Sequence, residues 1–218
     1  MNPQPPAWSP TGTVYGTLLN FRREWELWSA RMTQDPHKAA PKAPVLYVKT
    51  ANTFCTAGQD LLLQDGVNEV DIGATLGLVM GAPSLSGVQV VGAVLINDWS
   101  VPHTSYYRPP VKFRNRDGFL ALPQHTTAGK VQDWAALQIT VRRNGEVVQT
   151  VDLRELMRGM PQLLADVGEF MTLQPGDVLM VGTDCVADGT RPRAKAGDKV
   201  EISAPGFASV VTTVKGLA

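Results

Sequence analysis

Thiols and imidazoles are scarce in this chain. Its 218 residues include two cysteines, Cys55 and Cys185, and three histidines, His37, His103 and His125. Neither cysteine has a partner at metal-ligand spacing. Two thiols in a chain this long are expected as reduced core or surface residues, not as a bridge. His37 and His125 have no partners in sequence and receive no role. Net charge is missing as well. Twenty basic residues balance twenty acidic ones, which removes the electrostatic case for nucleic acid or an anionic membrane as partner. No apolar run approaches the roughly 20 residues needed to cross a bilayer. The opening Met1-Asn2-Pro3-Gln4-Pro5-Pro6 lacks the basic and apolar stretches of a secretory leader, so a cytoplasmic location is expected. Internal repeats and low-complexity tracts are absent.

What is present is ordinary globular usage, 44% hydrophobic and 18% charged residues, in a chain long enough for one good core. Four prolines in the first ten residues mark 1–11 as a loosely ordered arm, leaving 12–218 as a single domain. Thr13 to Leu19 reads as a strand. Phe21 to Met32 reads as a helix carrying Trp25, Leu27 and Trp28. From Val45 onward β signals dominate: Val45 to Val48, Glu69 to Val79 and Gln89 to Ile96 read as strands. Asn144-Gly145 joins Ile139–Arg143 to Glu146–Thr150 as a hairpin. One amphipathic helix is expected from Leu153 to Met171, opened by Asp152 and Glu155 as an acidic capping box and kinked at Pro161. Gly176-Asp177 and Gly197-Asp198 each turn the chain into a valine-rich strand. The fold class is therefore mainly β with few helices (α+β), around a β-rich, barrel-like core.

Four stretches carry the chemistry. They are Val67-Asn68-Glu69-Val70-Asp71-Ile72-Gly73-Ala74-Thr75-Leu76; Ile96-Asn97-Asp98-Trp99-Ser100; Tyr106-Tyr107-Arg108-Pro109 with Arg114-Asn115-Arg116-Asp117-Gly118; and Leu173-Gln174-Pro175-Gly176-Asp177-Val178 running into Val181-Gly182-Thr183. In order and spacing they resemble the fumarylacetoacetate hydrolase family of metal-dependent C–C hydrolases, decarboxylases and isomerases, from residue 12 to residue 216. The resemblance implies the barrel-like fold of that family's C-terminal domain. In the family, a Glu-x-Glu pair on one strand joins the aspartate of the Asn-Asp motif around a divalent cation. Residues two apart on a strand share a face, so the pair aims two hard oxygen ligands at one magnesium or manganese ion. Here those positions are Gly73 and Thr75. Asp98 alone is retained, and one carboxylate rarely holds a hard dication. No cofactor is therefore expected in this chain, with magnesium or manganese left to a metal-bearing partner. Glu69 and Asp71 are also two apart, but displaced by ~13 Å along the strand; they read as solvated strand-end charges.

The resemblance also implies roles for individual residues. Lys49 and Asn52, in Val48-Lys49-Thr50-Ala51-Asn52-Thr53, match a stretch that receives the anionic substrate. Arg114 stands where the family has a lysine beside the metal-bound oxyanion, and its planar fork suits a carboxylate. Pro102-His103 replaces an Arg-Asp pair, which puts His103 in the neighbourhood of acid–base work. Asp98, Arg114 and His103 are thus the expected catalytic set; Lys49, Asn52, Arg116 and Thr183 are the expected substrate contacts. Glu24, in Asn20-Phe21-Arg22-Arg23-Glu24, occupies the position of the family's water-activating histidine. Each residue has an ordinary reading too: Lys49 as a solvated strand-end charge, Arg114 in a surface ion pair, Thr183 as a strand-to-turn residue, His103 as a surface histidine.

Gly73-Ala74-Thr75, Tyr107-Arg108-Pro109 and Arg116-Asp117-Gly118-Phe119 share losses as well as retained residues with one branch of the family. They are most similar to the ligand-deficient first domain of the isomerase/decarboxylases of 4-hydroxyphenylacetate (homoprotocatechuate) breakdown. This implies di- and tricarboxylate substrates, namely 5-oxopent-3-ene-1,2,5-tricarboxylate and 2-hydroxyhepta-2,4-diene-1,7-dioate. It also implies a homologous metal-bearing subunit as partner, and an oligomer. Decarboxylation asks for an electron sink such as a dication chelating a 2-oxo acid. Ketonisation only moves a proton from an enol oxygen to a distant carbon. A chain without metal is accordingly expected to be the isomerase or supporting half. Two other readings stay open: a non-catalytic partner subunit, and a stand-alone metal-dependent C–C hydrolase or decarboxylase.

Overall fold

Strand β6 (Ala74–Met80) and its neighbour β7 (Val90–Asp98) are apolar on both faces, and a sheet built on such runs needs cover on both sides. The computed structural model, which describes residues 6–35, 38–82, 89–103 and 111–216, supplies that cover. The two strands lie in a seven-stranded sheet of order β2-β1-β11-β6-β7-β8-β3. Its other members are β1 (Val14–Leu18), β2 (Val45–Lys49), β3 (Phe54–Cys55), β8 (Leu120–Ala121) and β11 (Val178–Met180). The sheet is an open, curled half-barrel.

One face of it, Leu76, Leu78 and Met80 with Ala93 and Leu95, packs into a core shared with Ile139, Val141, Val200 and Ile202. Those residues belong to a second sheet of order β10-β9-β13-β14-β4. Its strands are β4 (Leu61–Leu62), β9 (Gln138–Arg143), β10 (Glu146–Asp152), β13 (Lys199–Ser203) and β14 (Val210–Lys215). The opposite face, with Tyr47, Val79, Val94, Ile96 and Met180, is covered by Trp8, Trp25 and Trp28, the last two from helix α1 (Arg22–Ser29). The alternation of strand side chains between faces thus divides β6 and β7 between two cores.

The Asn144-Gly145 hairpin forms, both residues at positive φ (54° and 88°), the pairing that a type I′ turn requires. Gly176 and Gly197 likewise turn at positive φ into β11 and β13. Helix α1 ends three residues before Met32, where the expected helix ran on.

Two expected elements are corrected. The run from Glu69 to Val79 is not one strand. Strand β5 (Glu69–Asp71) leaves to pair with β12 (Arg193–Lys195), and the chain re-enters the main sheet at Ala74. Between them Ile72 donates to the Pro192 carbonyl at 2.7 Å and the Gly73 amide to Asn97 Oδ1 at 2.9 Å. These two outside acceptors bend the strand. The long helix is also absent. A 3-10 turn spans Leu153–Glu155, and helix α3 covers only Met160–Gly168. Pro161 lies in its first turn, where a missing N–H has no intrahelical partner to lose, so it opens the helix instead of kinking it. Asp152 accepts from the Arg154 amide and caps the short turn.

The described end of the arm is tied to the body: Trp8 donates to the Gln124 carbonyl and Gly12 to that of Gly176, both at 3.0 Å. Tyr106 to Pro109 and His37 lie outside the described residues.

Asn20, at the exit of β1, ties three segments together. Its amide donates to the carbonyls of Val181 (2.9 Å) and Arg158 (3.1 Å), and its oxygen accepts from the Arg158 amide (2.9 Å). Replacing it strands those groups, at about 1 to 3 kcal/mol for a buried orphan. Asn20→Ala is therefore expected to lower stability by ~2 to 4 kcal/mol, read as a lower urea midpoint at unchanged slope. A loss below about 1 kcal/mol would mean that the clamp is replaced by water.

Candidate active site

The register of β6 and β7 pairs Ala74 with Asn97 and Thr75 with Ile96. Gly73 therefore faces Asp98, and the Asp98 amide donates to the Gly73 carbonyl at 2.8 Å. With a period of two, Gly73, Thr75 and Asp98 share one face. On β2, Tyr47 and Lys49 share a face by the same rule. Tyr47 pairs with Gly16, which lacks the side chain that would fill the place of the tyrosine ring. β2 is four strands removed from β7, on the order of 19 Å across a flat sheet. Side chains of the two strands nevertheless meet, so the curl of the sheet assembles the site.

At the meeting point Asp98 Oδ1 lies 2.8 Å from the Lys49 ammonium. Oδ2 accepts from Arg114 Nη1 at 2.9 Å and from the Tyr47 hydroxyl. Lys49 Nζ also donates to the carbonyls of Phe119 (2.8 Å) and Arg114. The guanidinium of Arg114, delivered by helix α2 (Val111–Arg114), lies 4.7 Å over the Tyr47 ring. The side chains of Lys49 and Asp98 have no solvent exposure and that of Arg114 has 5%. Burial alone would raise the Asp98 carboxyl, but Lys49 and Arg114 overcome it and hold the group below its ordinary value. Burial lowers Lys49, opposed by the attraction of Asp98. Burial, and then the charge of Asp98, push the Tyr47 phenol well above its ordinary value, so Tyr47 is a neutral donor.

The residues present do not fit a divalent cation. Both Asp98 oxygens face protein cations, and a Cβ at position 73 would collide with the Asp98 carbonyl oxygen. The Thr75 hydroxyl is buried and at best reaches the Leu76 carbonyl at 3.5 Å. Among the described residues no group of three His, Cys, Asp or Glu side chains is placed to hold a metal. Lys49 and Arg114 are neither solvated charges nor free substrate contacts, because their charge is directed inward onto Asp98. Asn52 and Arg116 are not brought here. Asn52 Nδ2 holds Asp117 Oδ1 (2.7 Å) and the Asn115 carbonyl (3.1 Å), while Arg116 holds Gln64 Oε1 (2.8 Å) and the Lys112 carbonyl (3.1 Å). Both brace the turn before Gly118.

Beside the ion cluster opens a cavity of about 350 Å³, lined by Arg31, Asp71, His103, Arg191 and Arg193 among others. His103 joins the two regions, since it lines the cavity and packs on Phe113, the neighbour of Arg114 in α2. Its Nδ1 lies 2.7 Å from the Val101 carbonyl. A carbonyl can only accept, so Nδ1 carries the proton and Nε2 keeps a lone pair. The ring stacks on Phe113 at 5.1 Å. Burial lowers the His103 pKa, ahead of the opposing Val101 bond, and the imidazole is neutral near pH 7.

Arg191 is the residue that sequence reasoning missed. Its Nη2 donates to Glu24 Oε1 at 2.7 Å and its Nε to Thr183 Oγ1 at 3.2 Å. Glu24 also accepts from the Leu19 amide. Glu24 and Thr183 therefore position an arginine. A usable signal was Arg191-Pro192-Arg193: the residue before proline is held extended, which aims both arginines the same way. Asp71 is corrected in turn, being buried, while Glu69 keeps its place as a solvated charge at the start of β5. Arg193 bridges Glu69 and Asp71 at 2.7 and 3.1 Å, and burial raises the Asp71 carboxyl against the pull of Arg191 and Arg193.

Residues 13–215 match the family model for the fumarylacetoacetate (FAA) hydrolase C-terminal region. Over 202 residues the chain is 32% identical to a 4-hydroxyphenylacetate degradation bifunctional isomerase/decarboxylase of Escherichia coli, covering 90% of this chain and 45% of that one. It is 26% identical over 162 residues to the mitochondrial oxaloacetate tautomerase Fahd2a of Rattus norvegicus, covering 69% and 51%. The chain thus spans about half the length of the curated relatives it matches. Its fold is shared with the 5-carboxymethyl-2-hydroxymuconate delta-isomerase of Mycobacterium smegmatis, at a TM-score of 0.71 and 20% identity over 94% of this chain and 79% of that one.

Breaking a buried ion group costs about 3 to 5 kcal/mol, so Lys49→Met is expected to destabilise by that amount. Combined with Asp98→Asn it should cost at least ~1 kcal/mol less than the sum of the single changes. The folded Asp98 carboxyl titrates below its unfolded value. Its contribution is therefore complete above the ordinary carboxylate range and fades as pH falls through the folded value. Asp98→Asn should flatten that acid limb in urea unfolding across pH. Additive single changes, or an unchanged limb, would refute the coupling.

Proposed function

The chain belongs to the fumarylacetoacetate hydrolase family, and we propose that it is an isomerase which ketonises 2-hydroxyhepta-2,4-diene-1,7-dioate or a close analogue without a metal of its own. In this reading it is the isomerase half of a two-part isomerase/decarboxylase of 4-hydroxyphenylacetate catabolism. A homologous metal-bearing subunit decarboxylates 5-oxopent-3-ene-1,2,5-tricarboxylate, and the two assemble as an oligomer. The similarity to the E. coli bifunctional enzyme supports the family role. One observation carries the choice of half: the Asp98 carboxylate is balanced by Lys49 and Arg114. A carboxylate so occupied offers nothing to a dication, and without such a sink decarboxylation loses its main assistance. The cytoplasmic location is part of the proposal; no helix among the described residues is long and apolar enough to cross a membrane.

Ketonisation asks for less, and the cavity supplies it. The neutral imidazole of His103 takes the proton of the enol hydroxyl at Nε2. The C2–O bond becomes a carbonyl, the two carbon–carbon double bonds give way to one between C3 and C4, and C5, the far end of the former diene, takes up a proton, returned by the imidazolium. Arg191 lies where it can meet the carboxylate of the reacting end. The dienolate formed in between is anionic, and the ion cluster, two cations against one carboxylate, places a fixed positive field beside it.

The chain purified alone and kept in chelator is expected to turn over the dienedioate, followed as loss of the diene absorbance, while leaving the tricarboxylate intact. Turnover that stops in chelator and returns with magnesium or manganese overturns the reading. A chain inert with and without its partner makes it a supporting subunit. His103→Asn should lower kcat by about 10² to 10⁴. In the unaltered chain kcat/KM should rise with pH through a value below that of ordinary histidine, since burial holds His103 neutral; the variant should lose that limb.

A further inference from the structure

The three arginines of the cavity are in different states. Arg193 is balanced by two carboxylates, Asp71 and Glu69. Arg191 is fixed by Glu24 and Thr183 through Nε and Nη2, while Nη1 makes no hydrogen bond among the described residues. Arg31 makes no side-chain hydrogen bond or ion pair among the described residues. Its guanidinium lies over the Trp28 ring, 4.9 Å from the centroid. An exposed arginine is ordinarily a solvated charge of little energetic weight. Arg31 differs in two respects: it lines the same cavity as Arg191, and it is oriented by an aromatic face, which leaves all of its N–H donors free.

The two arginines are also held in a common wall. Arg31 follows α1, its amide donating to the Trp28 carbonyl at 2.9 Å, and α1 packs against the turn that carries Arg191. Gly189 in that turn has φ 83°, and a Cβ there would lie 3.1 Å from Leu27 Cδ1. Two oriented cations lining one cavity of small-molecule size, where the lining carboxylate Asp71 is already held by Arg193, match a ligand with an anionic group at each end.

We infer that Arg31 is the residue that selects a dicarboxylate over a monocarboxylate, accepting the far carboxylate of a substrate whose near end lies on Arg191. The inference rests on reading this cavity as the isomerase site. Its test separates the two. Calorimetry with the unreactive probes pimelate and heptanoate, seven-carbon chains with two and one carboxylates, reads selection without turnover. The unaltered chain should bind pimelate about ten-fold more tightly than heptanoate, and Arg31→Met should bind both alike. Trp28→Leu, which removes the surface under Arg31, should narrow the preference in the same direction, and Arg31→Lys should keep part of it.

With the dienedioate, Arg31→Met should raise KM about ten-fold at near-constant kcat. An unaltered chain that prefers neither probe, or an Arg31→Met variant that keeps the preference, overturns the inference whether or not the chain turns over. Loss of preference in the variant together with no ketonisation by the unaltered chain upholds dicarboxylate selection and removes the isomerase reading.

Discussion

Taking an ion out of water costs several kcal/mol even after relaxation, and around Asp98 three charged groups have been taken out together. That cost decides how the surrounding elements are built. Lys49 reaches Asp98 only because β2 curls toward β7, and the curl leaves room for Tyr47 only because residue 16 has no side chain. Arg114 arrives from α2, and the carbonyls of Arg114 and Phe119 complete the shell of Lys49. The strand break at Ile72-Gly73 serves the same end, since the Gly73 carbonyl and amide are fixed by Asp98 and Asn97. The ion cluster and the curvature of the half-barrel are one constraint seen from two sides.

The cluster also divides labour in the site. Charge that points inward at Asp98 stabilises the fold and contributes a steady field; charge that contacts ligand has to come from elsewhere. In the proposed site it comes from Arg191 and Arg31, which line the cavity. Glu24 and Thr183 gain their importance at one remove, by holding Arg191. Positions that align with functional residues of a family can therefore keep their polarity while changing their task.

Much of the fold is legible in the chain because it is local. Asn144-Gly145 specifies its hairpin, and the two Gly-Asp turns specify the strands that follow, through backbone conformations that few other residues adopt. The apolar runs of β6 and β7 reveal a sheet buried on both faces. Errors arose where a distant partner decided the outcome. Nothing near Ile72 announces that Pro192 will take its amide, and nothing near Pro161 says whether a helix passes through it or begins at it. The same limit applies to the site. The face shared by Gly73, Thr75 and Asp98 follows from a period of two. The pairing of Asp98 with Lys49 and Arg114 depends on closure across four strands, and no pattern within a window of residues contains it.

The loss of the two glutamates is consequently more than a pair of missing ligands. A dication and a pair of protein cations both balance carboxylates, but they differ in what they can do next. A metal ion accepts new oxygen ligands from a substrate and withdraws electrons through the bonds so formed. An ammonium with no solvent exposure and a guanidinium packed on a ring have fixed geometry and no open coordination position; they act only through space. The proposed site would keep the positive field that favours an enolate and give up chelation. Restoring a glutamate at 73 would not reverse this alone, because the Asp98 backbone occupies the space a side chain needs and Lys49 would still neutralise Asp98. The pairing of Asp98 with fixed cations is thus written into backbone spacing as well as side-chain identity, and it is this pairing on which the proposed proton-transfer chemistry rests.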